Sequence, residues 1–163
     1  MTPTKRTGLR KLVGFTLRST LLHVVTYLVI GALSYRFIAR HLWEGPLALP
    51  GMRDLQSRSV QAMIIPAQIV RGWLIGLALF PLRPLLMKQT RWGGCILASI
   101  LLVIGSLAGI SGQIELWVYT TGFNLRLFLA HLPEIVVQSL CFGYLLLAWE
   151  HRVESEALAR AGL

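Results

Sequence analysis

The sequence predicts an all-α integral membrane protein, a four-transmembrane-helix bundle that can also be parsed as two parallel helical hairpins. Three observations predict it. Four apolar segments, residues 21–38, 62–80, 94–113 and 127–149, occupy about half of the chain. Hydrophobic residues make up 55% of the 163 and charged residues only 14%, against about 25% charged in an average soluble domain. The bases outnumber the acids, 16 Lys and Arg against 7 Asp and Glu, yet they lie scattered between the apolar segments. That length suits one membrane domain, residues 1–163.

The first segment follows a basic leader of Lys5, Arg6, Arg10, Lys11 and Arg18. A signal peptide has the same outline, but no clear pair of small residues marks a cleavage site before Tyr35 and Arg36, so an uncleaved span is expected. At about 1.5 Å of rise per residue, each segment can cross or nearly cross a hydrocarbon layer of about 30 Å. Backbone groups in lipid must bond within their own segment, so the spans are helices and not strands. The second span carries Arg71 in its middle. The third is almost without ionisable groups. The fourth carries His131, Glu134 and Gln138. Pro66 and Pro133 are expected in the first turns of their helices, where proline is tolerated. Gly72-x-x-x-Gly76 and Gly105-x-x-x-Gly109 are small-residue faces, read first as packing within the chain and second as a dimer face.

The loops carry a sign. With four spans, both tails and the middle loop share one side, and that side holds ten of the 16 bases. The positive-inside rule then places both termini in the cytoplasm, with a bacterial inner membrane as the expected location of this multi-pass protein. The positive surplus faces anionic headgroups and needs no nucleic acid. The lipid bilayer is one expected partner; a second copy of the chain or another membrane protein is the other.

An internal repeat is suggested by aligning the second and fourth spans. Pro66 falls on Pro133, Val70 on Val137, Arg71 on Gln138, Gly72 on Ser139, Gly76 on Gly143 and Leu79 on Leu146. The first and third spans show no such match.

Candidate site residues are the polar ones inside the spans. A mid-span guanidinium costs about 2.5–3.5 kcal/mol on insertion scales, so Arg71 calls for a partner, a wet cavity or a route to the interface. Glu134 is the one acid well inside a span, and the two lie at similar depths, so an intramembrane Arg71–Glu134 pair is expected. His131, Glu134, Gln138 and Cys141 form one helical stripe, and Gln68 shares a side with Arg71. His23, Tyr27 and Ser34 form a fainter polar stripe on the first span. The binding candidates are therefore Arg71, Glu134, Gln68, Gln138 and His131.

No catalytic residue, cofactor or metal is assigned. Cys95 and Cys141 lack metal-ligand spacing. His23 and His131 lie at opposite ends of their spans and cannot clamp one haem iron. Phosphate-loop, dinucleotide, zinc-protease and hydrolase-elbow motifs are missing from the sequence. Three functions compete. In the first the chain is a non-enzymatic assembly or partner subunit organised around Arg71 and Glu134. The second is a small transporter or permeation subunit with the same pair as its solute site. The third is a membrane enzyme using Glu134 and His131.

Overall fold

A computed structural model describes residues 3–40, 57–88, 92–103, 125–160 and 162, and no strand occurs among them. Helix α1 runs from Pro3 to Ser34 and ends in a π-helical turn, Tyr35–Ala39. Helix α2 covers Arg58–Leu79 and α3 covers Arg83–Met87, separated by the 3-10 turn Phe80–Leu82. Helix α4 covers Gly93–Leu102 and α5 covers Leu125–Arg160. Three helical stretches, Gly8–Ile38, Arg58–Met87 and Leu132–Arg160, are long and apolar enough to cross a membrane. The third apolar segment contributes the short apolar helix α4, and its remainder, including Gly105 and Gly109, lies outside the described residues.

Several boundaries differ from expectation, each for a local reason. Helix α1 is already formed at Pro3 because its basic leader continues the helical pattern. Leu9, Val13, Leu17, Leu21 and Val25, four residues apart, form one exposed apolar stripe along it. Ser57 starts α2 as its N-cap, in an extended conformation with its hydroxyl accepting from the Val60 amide at 3.4 Å. Pro66 and Pro133 do not sit in first turns. Each stands in the third turn of its helix, and the helix runs on through it. Pro81 and Pro84 instead mark the real break: each opens a short helical turn, and together they end α2 and start α3.

Helix α1 packs on both α2 and α5, and α5 packs on α4. The order across the bundle is therefore α2, α1, α5, α4, with α3 touching α4 and α5 at one end. The buried apolar core lies at that end. Phe15 comes from α1, Leu79 from α2, Leu86 from α3, Leu97 from α4, and Phe142, Leu146 and Leu147 from α5. Each long helix thus turns one stripe inward and leaves wide apolar faces outward, as a membrane solvent permits.

Candidate functional site

The α1–α2 seam is set by small residues. Gln68, Gly72, Gly76 and Leu79 are the buried residues of α2 and form one stripe. A Cβ on Gly72 would stand 2.9 Å from the Thr20 Cα, and one on Gly76 would stand 2.9 Å from the Thr16 Cα. The Gly72-x-x-x-Gly76 face is therefore spent on contact within the chain, as expected. A matching contact joins α4 and α5, where a Cβ on Gly143 would come within 2.6 Å of the Gly94 carbonyl oxygen. The aligned glycines of the suggested repeat, Gly76 and Gly143, thus each face the preceding apolar helix.

Gln68 meets histidine and not arginine. His23 Nε2 donates to Gln68 Oε1 at 3.1 Å, and both residues are buried. The His23 ring also meets Phe142 edge-on, with centroids 6.0 Å apart, so this one side chain ties α1 to both of its neighbours. The faint polar stripe of the first span contains His23 but gives no sign that it is a node.

Arg71 and Glu134 are placed apart. A carboxylate oxygen of Glu134 lies 3.5 Å from where a Cβ on Gly31 would be, which sets it against α1. Arg71 is exposed on α2. No ion pair among the described residues joins them, and α1 lies between their helices. Their depths differ as well: Gly72, beside Arg71, packs against Thr20 and His23 of α1, whereas Glu134 lies by Gly31, roughly 12–16 Å further along that helix at about 1.5 Å per residue. Gln138 is half-buried on α5. The His131 side chain lies outside the described residues.

The strongest charged cluster is elsewhere. Glu150 is fully buried, at 0% exposure, and accepts from two arginines on different helices. Arg18 Nε of α1 lies 2.5 Å from Oε1, and Arg83 Nε of α3 lies 2.8 Å from Oε2. The core surrounds this cluster: Phe15 is one turn from Arg18, Leu79 and Leu86 flank Arg83, and Leu146 and Leu147 precede Glu150. The Pro81–Pro84 break is what brings Arg83 over α5. Glu154 adds a looser contact to Arg83 at 3.8 Å. A signal for this cluster does exist in the sequence. Arg18, Arg83 and Glu150 all fall at the same end of their spans once the topology is drawn, but counting them as loop charges hides it.

Chemically, Glu150 is a clamp joining three helices, with both of its oxygens occupied. No group of His, Cys, Asp and Glu among the described residues could hold a metal ion. These features define a class: over its described residues the chain is all helical, with three helices long and apolar enough to span a membrane. Compared with protein-family models, curated proteins and solved structures, the chain matches none.

Proposed function

We propose that this chain is a non-enzymatic assembly subunit of a membrane complex, and that α2 docks a partner helix through the face carrying Arg71. The observation that carries the reading is the exposure of Arg71 in mid-helix among apolar neighbours. Val70, Trp73 and Leu74 around it are each more than half exposed. Ala67 and Ala78 lie on the same exposed face, four residues before and seven after Arg71, and would let a second helix approach. The glycine stripe of α2 is turned against α1, about a quarter of the way round the helix from Arg71. A guanidinium left in lipid would carry the insertion penalty, whereas a carboxylate at the same depth on a partner helix would remove it.

Charge also argues against two copies meeting symmetrically on this face, since that would bring Arg71 to Arg71. The solute-site alternative needs Arg71 and Glu134 on one path. With α1 between their helices, the assembly reading is better supported.

The test is association in vesicles between the labelled full-length chain and a synthetic transmembrane helix with one central Glu. Energy transfer should be strong for that helix, weak for the same helix with Leu in place of Glu, and lost with Arg71→Leu. Equal transfer in all three cases would overturn the reading.

A further inference from the structure

At the core end of the bundle, residues from the start of α1 and the end of α5 line a cleft of about 640 Å³. Its walls carry five cations, Arg10, Lys11, Arg18, Arg83 and Arg160, against three carboxylates, Glu150, Glu154 and Glu156. The carboxylates are already matched. Glu150 sits between Arg18 and Arg83, Glu154 faces Arg83, and Glu156 lies between Arg152 and Arg160 at 3.1 and 3.8 Å. Arg10 and Lys11 have no ion pair among the described residues, so the cleft has a surplus of positive charge.

Gly14 shapes the inner wall. The two Nη atoms of Arg18 lie 3.2 and 3.8 Å from where a Cβ on Gly14 would be, so any side chain there would crowd the guanidinium. Arg18 thus grips Glu150 through Nε and lays its outer nitrogens beside a residue that lines the cleft.

The cleft is flanked by grease. Leu9, Val13 and Leu17 are 55%, 49% and 62% exposed, on the face of α1 next to Arg10, Gly14 and Arg18. They continue the exposed apolar stripe of Leu21 and Val25 past the level of the Glu150 clamp. A cationic hollow beside an apolar strip fits a molecule with an anionic head and acyl chains. Basic pockets between helices at a membrane surface are suited to phosphate headgroups.

We propose that this cleft binds the phosphate headgroup of an anionic phospholipid, whose acyl chains lie along the Leu9–Val13–Leu17 strip. Arg10 and Lys11 hold the phosphate, and Arg18 forms the floor. The proposal does not depend on the partner-helix reading, since the cleft and the Arg71 face are on different helices.

The test uses the purified full-length chain in a zwitterionic detergent. Binding of short-chain phosphatidylglycerol is followed by the rise in unfolding temperature, with phosphatidylcholine and inorganic phosphate as comparison probes. Only phosphatidylglycerol should raise it at submillimolar concentration. Each basic residue at an anionic lipid surface contributes about fivefold in affinity, so Arg10→Gln with Lys11→Gln should weaken binding about 25-fold. These two exposed residues lie outside the Glu150 clamp, so the variant should unfold at the wild-type temperature without lipid. A second variant, Leu17→Gln, places a polar side chain in the exposed apolar strip and should also weaken the response to phosphatidylglycerol. Equal stabilisation by phosphatidylcholine, equal stabilisation by inorganic phosphate, or an unaltered lipid response in the Arg10/Lys11 variant would each overturn the proposal.

Discussion

Glu150→Gln removes one charge from the centre of the bundle and keeps its shape. In the wild type, both carboxylate oxygens accept from guanidinium Nε atoms, at 2.5 and 2.8 Å, and the acid has no exposure to water. A hydrogen bond to a charged group contributes about 1.5–3 kcal/mol. The amide oxygen of Gln can keep one of the two bonds, but its NH₂ then faces the other arginine, donor against donor. Breaking a buried pair by removing one partner costs about 3–5 kcal/mol. Arg18 and Arg83 are 20% and 19% exposed and can regain some water, which favours the lower end. A loss of about 3 kcal/mol corresponds to a fall of roughly 6–12 °C in unfolding temperature for a chain of this size.

Far-UV circular dichroism of the purified chain in detergent measures that fall. Glu154→Gln is the control. Glu154 is 48% exposed and 3.8 Å from Arg83, and an exposed pair of this kind contributes about 0–1 kcal/mol. Replacing all three charges together, Glu150→Leu with Arg18→Met and Arg83→Met, should recover much of the stability, because apolar side chains can stand in for a buried ion cluster. If Glu150→Gln and Glu154→Gln lower the unfolding temperature equally, Glu150 is not a clamp and the reasoning from its burial is wrong.

Other expectations concern the seams. Gly76→Val should push α1 from α2, since even a Cβ would lie 2.9 Å from the Thr16 Cα; a cysteine cross-link between the two helices should form more slowly, and an unchanged rate would count against the close approach. Gly143→Ala should lower the unfolding temperature more than Gly8→Ala, where nothing lies within 4 Å of the added carbon. Gln68→Leu leaves a buried His23 without its acceptor and should destabilise by about 1–3 kcal/mol, read in the same detergent assay. A Gln68→Leu protein as stable as wild type would show that the His23–Gln68 bond contributes little.

The parts of this fold that are legible in the sequence follow from single-chain chemistry. Apolar length marks the helices, because lipid leaves the backbone no other partner. The Gly72–Gly76 spacing marks a packed face, and that face is indeed against α1. Relations between helices are harder to read. Counting residues from the span ends puts Arg71 and Glu134 at one depth, but the span ends are not level: Gly72, beside Arg71, packs at Thr20 and His23 of α1, and Glu134 at Gly31. Which helices are neighbours is not readable from such counts either, and here α1 stands between the two. Glu150 escapes notice for a different reason. Counting bases by loop treats Arg18 and Arg83 as independent topology signals, whereas the fold gathers both onto one carboxylate. The helix break that aims Arg83 is written in Pro81 and Pro84, but its direction depends on packing against α5.

The placement of Glu134 against α1, with Arg71 turned outward, is tested most directly by cysteine cross-linking with a short bifunctional thiol reagent in the membrane-embedded chain. Cys95 and Cys141 are first replaced by Ala. Gly31→Cys with Glu134→Cys should then be joined by the reagent, which replaces the reach of the lost side chain, because the Glu134 carboxylate lies 3.5 Å from the Gly31 Cβ position. Arg71→Cys with Glu134→Cys should not cross-link within one chain. Efficient trapping of positions 71 and 134 in one chain, with none between 31 and 134, would contradict the arrangement and return Arg71 to the interior of the bundle.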